Sequence, residues 1–437
     1  MIFSILQLLP YDSILSFSMT CKRLRFLATS NSLWEYVCIR DWGAQSIDAL
    51  ISTSTLLNKD RSCISWIRVY KEICGVGSFS CDRLFSEDGM VPMARASHSL
   101  NFVSGCLVLF GGGCEGGRHL DDTWIALAKE NQNNKRRRLI WKKMHANSPT
   151  GRFGHTCTTI DDSTLILFGG INDNGIRQND LWVGHVSPQP NPTISWHALQ
   201  NVGPCSPPPR GAHAACLSTT HLTLVIHGGI SLSGLRLSDT WLLDLSNGPY
   251  STSWCQFPNL DPSPPARSGH SLTWIGGTRH MVLFGGRGSG YEVLNDLWVF
   301  DLLGPKWTEI KYENSMTNME TPSPRVGHSA NVMIGGKILI YGGEDSQRQR
   351  KDDLWILDVN ALLSRYHNKA TLKLLWKRVK VKNWAPGYRS FHGSCTDKFG
   401  RCLYVFGGMV DGVVQPGDAF GLRFDEELFV VELNLQL

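Results

Sequence analysis

The chain has 437 residues, of which 42% are hydrophobic, 19% charged and 10% aromatic, with 43 Gly, 20 Pro and 15 Trp. Aromatic residues spread along the whole length exclude wholesale disorder, and a net charge of +5 excludes a chain devoted to phosphate or nucleic-acid binding. None of the 13 cysteines forms a C-x-x-C pair and no apolar run approaches a membrane span, so a reduced cytosolic or nuclear protein without structural zinc is expected.

Taken in chain order, residues 1–45 show helical spacing: Ile5, Leu8 and Leu9, then Ile14, Leu15 and Phe17, then Leu24, Leu27 and Ala28. Asp12 and Thr20 are the expected N-caps of the second and third helices. The start lacks a basic leader region and is broken by Pro10, Tyr11 and Asp12, so it reads as soluble helix, not as a signal peptide. Residues 46–80 read as a helical linker with an amphipathic helix over Trp66–Ile73.

From residue 93 onward the sequence repeats itself. Arg-x-x-His recurs at Arg95, Arg152, Arg210, Arg267, Arg325 and Arg389, at spacings near 58 residues. Each copy is followed by a β-branched run ending in two glycines, from LVLFGG at Gly112 to LYVFGG at Gly408. An acidic residue two before a Trp follows in five copies (Asp122/Trp124 to Asp353/Trp355), and a second Trp opens a fourth run at Trp141, Trp196, Trp254, Trp307 and Trp376. Four strand-length runs per unit make one antiparallel sheet, and six such sheets arranged radially make a propeller. In the sixth unit Glu427 and Phe429 stand in the acidic and Trp positions, and the chain ends before a fourth run. The stretch near 81–85, with Cys81 in place of Trp, is expected to supply that outer strand, so that both chain ends lock the ring and residues 81–437 form one domain.

These motifs resemble kelch repeats, which implies a mainly β fold: a six-bladed β-propeller behind a small α-helical domain. The first residues, ILQLLPYDSILSFSMTCKRLRFLATSNSLW, are similar to an F-box lacking its opening Leu-Pro-x-Asp-Leu-Leu segment. The combination resembles the plant F-box/kelch-repeat proteins. That resemblance implies the substrate-recognition subunit of an SCF-type ubiquitin ligase, non-catalytic and without cofactor, whose partners are a ligase adaptor and cullin on one side and an unknown target protein on the other. Leu8, Leu9, Pro10, Ile14, Leu15, Leu24 and Trp34 are the candidates for adaptor contact or, equally, for the core of the helical module.

Strand alternation places the loops after strands two and four on one face of the ring. The repeated arginines Arg95, Arg152, Arg210, Arg267, Arg325 and Arg389 lie there, either holding loop carbonyls or gripping an acidic peptide. Tyr291, Arg348, Arg350 and Phe420 in the variable loops are the candidate target anchors. The repeated histidines are expected to be buried strand-start residues. On the opposite face Lys135–Arg138 form a candidate import signal. A metal-dependent kelch enzyme and a scaffold without ligase link are the alternatives, although the nearest Glu-x-x-x-Asp-x-x-x-His string has Glu292 and Asp296 but Phe300 in the histidine position.

Overall fold

The computed structural model describes residues 2–53, 61–75, 78–129, 138–145, 147–187, 190–199, 205–258, 261–311, 320–367, 375–379, 381–382, 386–411 and 423–434. Six four-stranded antiparallel sheets follow one another along the chain. Their innermost strands, Ser99–Val103, Thr156–Thr159, Ala214–Ser218, Ser271–Trp274, Ser329–Met333 and Gly393–Thr396, touch in that order, and the last touches the first. These are the blades of a closed propeller.

Closure uses both ends of the chain. Strand Ser78–Ser86 lies antiparallel to Leu428–Asn434, with Cys81 opposite Val431 and Leu84 opposite Leu428, as the outer strand of blade 6. Its far end also pairs with the outer strand of blade 1, Phe85 opposite Arg138. The outer edge of blade 6 is thus paired at both its ends, Phe79 and Ser80 with Val381 and Lys382 and Phe85 and Ser86 with Arg138 and Leu139, which shortens the template an open edge offers for aggregation.

At the axis the backbone forms a circle. The amides of Ser97, Gly154, Ala212, Gly269, Gly327 and Phe391 each donate to the carbonyl of the corresponding residue one blade away, at 2.7 to 2.9 Å, and the sixth bond returns to the first residue. All six residues have φ between 54° and 68°, a region that suits glycine and strains a bulky residue such as Phe391. The Gly-Gly pair is equally constrained. A Cβ on Gly112 would sit 2.8 Å from the His98 Cβ, and one on Gly111 would sit 2.8 Å from the Arg152 carbonyl.

Between blades, each fourth-strand Trp packs on the aromatic that precedes the glycines of a neighbouring sheet. Phe110–Trp196, Phe168–Trp254, Phe284–Trp376 and Phe406–Trp141 have ring centroids 5.1 to 5.6 Å apart. Blade 3 has His227 where the other units have Phe or Tyr, and Trp307 packs on it at 5.2 Å. Cys81 and Tyr341 are both buried in the core cluster at the one seam without a Trp.

In the amino-terminal part, helices α1 (Ile2–Leu8), α2 (Tyr11–Ser18), α3 (Lys22–Ala28), α4 (Asn31–Trp42), α5 (Ala44–Thr53) and α6 (Trp66–Cys74) share one core. Ile47, Leu50 and Ile64 are buried in it, so the described helical residues of the expected linker pack into the module, while Ser78–Ser80 at its end already belong to the blade 6 strand. The expected caps shift, the first by two residues and the second by one. α2 starts behind Pro10, with Asp12 inside its first turn, and α3 starts behind Cys21. The Thr20 hydroxyl instead donates back to the Phe17 carbonyl at the end of α2.

Candidate functional site: the two faces of the ring

The six repeated arginines are almost completely buried. In each, Nη1 donates to the carbonyl of the first glycine of its own blade at 2.8 to 3.0 Å. In blades 1 to 5 the guanidinium also forms a two-pronged clamp on Asp122, Asp180, Asp239, Asp296 or Asp353, at 2.6 to 3.2 Å. The same carboxylate takes the indole N–H of the Trp two residues on, at 2.6 to 2.8 Å. Burial alone would raise the carboxyls of Asp122, Asp180, Asp239 and Asp353, but hydrogen bonds and charge from the arginines outweigh it and hold them below their usual range.

Arg95, Arg152, Arg210, Arg267, Arg325 and Arg389 are therefore corrected from candidate target contacts to structural pins: no face of them is open to a peptide. In blade 6 the acidic partner is also corrected. Arg389 pairs with Asp425 at 3.0 Å, whereas Glu427 faces outward to Arg83 at 2.6 Å. Phe429 lies against the Arg389 guanidinium at 4.7 Å.

The repeated histidines are buried and link neighbouring blades. Nε2 of His155, His213, His328 and His392 meets the hydroxyl of Ser99, Thr156, Ser271 and Ser329, at 2.8 to 3.1 Å. Blade 3 has Ala214 at that position, and His227 Nδ1 takes the place of the hydroxyl, 3.2 Å from His270 Nε2. Blade 6 has Gly393 there, where a Cβ would be 2.4 Å from His98 Nε2. Burial pushes His155, His213, His227 and His328 down to about 3, and His98, His270 and His392 well below the ordinary range. All seven are neutral structural rings.

The loops after the second strands contain the remaining anchors. Tyr291 is 70% exposed, with φ 65°, and the Arg236 guanidinium lies 4.6 Å over its ring. Arg348 is exposed at the tip of the blade 5 loop with φ 60°. Arg350 is corrected: it is buried and held by Asp411 from blade 6, so it presents only part of its guanidinium. Phe420 and Lys135–Arg137 lie outside the described residues. Exposed Ile176, Leu232 and Leu235 on the blade 2 and 3 loops were not singled out from sequence; their signal was an apolar residue at a loop tip. The Glu292–Asp296 string holds no metal-site chemistry, because Asp296 is committed to Arg267 and Phe300 is core.

On the opposite face the helical module is bolted to blade 5. The Ile73 Cγ2 of α6 occupies the space that a side chain on Gly335 would need, 2.7 Å from its Cβ position, and Lys377 Nζ donates to the Gly75 carbonyl at 3.1 Å. Between α2, α4 and the turns of blades 4 to 6 runs a groove of about 1280 Å³, whose walls include Tyr11, Arg40, Asp41, Asn360 and Lys398. Of the adaptor candidates, Ile14 and Trp34 are fully buried and are corrected to core residues. The Trp34 indole donates to the Ala28 carbonyl at 2.7 Å. Leu9, Leu15 and Leu24 are half-buried, whereas Leu8 and Pro10 are exposed but line the groove. Besides the candidate Leu8, the exposed apolar residues of the module include Ile2, Ile5, Met19, Phe26 and Tyr36, which were not among those candidates.

Residues 1–40 match the F-box-like family model, and residues 190–318 and 311–433 match the model described as the KLHDC2/KLHL20/DRC7 Kelch-repeats domain. The chain is 50% identical to an F-box/kelch-repeat protein of Arabidopsis thaliana over 99% of its own length and 91% of that protein. It belongs to the F-box/kelch-repeat family. Another relative, Adagio protein 3 of Arabidopsis thaliana, is 30% identical over 92% of this chain but only 60% of its own length. Among solved structures, that of YjhT superimposes with a TM-score of 0.51 at 15% identity, covering 77% of this chain and 95% of YjhT; it shows the propeller fold alone. For an F-box/kelch-repeat protein the two faces divide naturally, with helices docked on one and variable loops open on the other.

Proposed function

We propose that this chain is the substrate-recognition subunit of an SCF-type ubiquitin ligase, its helices binding the adaptor and its propeller loops binding the target. The observation that carries the reading is the placement of the two modules. α6 fixes the F-box-like helices to one face of blade 5, and among the described residues none of the module's helices contacts the loop face opposite. The chain performs no chemistry in this reading. It turns ubiquitin transfer into a near-intramolecular event by raising the effective concentration of the target beside the ligase.

The adaptor surface in this proposal is the exposed apolar set on α1 and α3, Ile5 and Phe26 above all, which are 52% and 78% exposed. The test is co-purification with the adaptor and cullin from a reconstituted mixture. Wild-type chain is expected to capture them and an Ile5→Asp/Phe26→Asp variant is expected to lose them at an unchanged melting temperature. Failure of the wild-type chain to capture the adaptor would overturn the reading.

A further inference from the structure

With the repeated arginines spent inside the blades, the loop face still carries a second set of cations, one rung further out. At the mouth of the axis, the residue after the Gly-Gly pair of blades 1 to 5 bridges to a residue leading into the third strand: Gly113 to His119, Ile171 to Arg177, Ile230 to Arg236, Arg287 to Val293 and Glu344 to Arg350. These rungs lean toward the next blade. The His119 ring packs on Phe153 at 4.5 Å, Ile171 fills the space beside Gly211, Arg236 Nε donates to the Ser268 hydroxyl at 3.2 Å, and the Ser390 hydroxyl donates to Glu344 at 2.9 Å. Phe153, Gly211, Ser268 and Ser390 each precede a member of the axial backbone circle, so the rungs encircle the mouth.

Blades 2 to 5 thus contribute one arginine each: Arg177, Arg236, Arg287 and Arg350. Their neutralisation is incomplete. Glu344 lies 3.6 Å from Arg287, and Asp411 holds Arg350. Among the described residues, Arg177 and Arg236 have no carboxylate partner; Arg177 donates to the Gly175 carbonyl, and Arg236 to Ser268 while stacking on Tyr291. The Nε of Arg177 is buried without an acceptor, and so is that of Arg350, a residue only 8% exposed. Buried guanidinium donors without acceptors are costly unless an anion completes them. Exposed Leu232, Leu235 and Tyr291 sit on the loops that carry Arg236 and Arg287.

We propose that this mouth binds an acidic segment of the target protein, its anionic groups on Arg177, Arg236 and Arg287 and an adjacent apolar side chain against Tyr291, Leu232 and Leu235. The anionic groups are carboxylates or phosphates, which share the chemistry that a guanidinium recognises. The proposal rests on the reading of the propeller as the target-binding module.

The test is fluorescence anisotropy on the full chain with three labelled dodecapeptides: one with glutamates flanking a leucine, one with phosphoserines in place of the glutamates, and one with glutamines. At least one anionic peptide is expected to bind, with affinity falling as salt rises, and the glutamine peptide is not. The stronger of the two anionic probes identifies the source of the charge. Arg177→Glu and Arg236→Glu are each expected to weaken binding by about tenfold or more. Lys377→Glu, on the opposite face, is expected to leave it unchanged. Equal binding of the glutamine peptide, no binding of either anionic peptide, or wild-type affinity in a normally melting Arg236→Glu variant would overturn the proposal. Adaptor capture is scored separately on the same preparation. Its loss with peptide binding intact would sink the ligase reading and leave this one standing.

Discussion

His227 replaces the Phe or Tyr that every other blade places before its glycines, and Ala214 replaces the residue that in four other blades bonds or could bond the histidine next door; the two exceptions compensate each other. Changing His227→Phe restores the aromatic that Phe110, Phe168, Phe284 and Phe406 supply elsewhere, so packing against Trp307 is kept. It leaves His270 Nε2, now 3.2 Å from His227 Nδ1, without a partner in a fully buried seam. One orphaned buried polar atom costs about 1 to 3 kcal/mol. With roughly 0.75 kcal/mol/K for about 350 residues unfolding together, the melting temperature is expected to fall by about 1 to 4 °C. Adding Ala214→Ser supplies the hydroxyl that Ser271 gives His328 at 2.9 Å, and the double variant is expected to recover most of the loss. Ala214→Ser alone is expected to be nearly neutral, which gives a coupling of about 1 to 2 kcal/mol in the cycle. Thermal and urea unfolding of the four proteins measures it. A His227→Phe variant as stable as wild type, or a double variant no better than His227→Phe, would refute the seam bonding.

Asp239→Asn is expected to be more damaging, by about 3 to 5 kcal/mol, because it leaves the fully buried Arg210 charge uncompensated; calorimetry checks it, and a shift under about 1 °C would contradict the clamp. Acid is expected to destabilise the ring early. In the native state His155, His213, His227 and His328 stay neutral down to about pH 3 and burial holds His98, His270 and His392 well below the ordinary range, whereas the unfolded chain takes up their protons below about pH 6.5. The unfolded state therefore binds more protons in that window, so stability is full above pH 6.5 and falls toward pH 4, by up to about 1.4 kcal/mol per histidine per pH unit; a flat melting profile between pH 7 and 5 would argue against it. Gly335→Val, which drives a side chain into Ile73, is expected to speed proteolytic release of the helical module while leaving the ring intact, and equal digestion rates would count against the bolt.

Much of the ring was legible because each repeated residue acts over a short range: the glycines in a turn, the Trp at the nearest seam, the Asp on an Arg in the same blade. Legibility failed where an identity depended on a longer path. Glu427 has the better spacing to Phe429, yet Asp425 lies on the side that Arg389 faces, and spacing after the long loop carries no such information. Helical periodicity marked Ile14, Trp34 and Phe26 alike as apolar or left them unmarked, but only the packing of α2, α4 and α6 decides that the first two are core and the third faces solvent. Asp12 has the right cap chemistry, but the fixed φ of Pro10 starts α2 two residues earlier. Arg177, Arg236 and Arg350 each stand three residues before a clamp Asp, a register that becomes meaningful only once the blades are placed around an axis.

Blade 6 joins Ser78–Ser86 to Leu428–Asn434, and this arrangement imposes an order on biosynthesis. The outer strand leaves the ribosome first and its mate last, after roughly 340 further residues, which at about 5 to 20 residues per second is a wait of about 20 to 70 s. Throughout that interval the strand lacks its antiparallel mate, so Leu428–Asn434 act as the clasp that shuts the circle of blades.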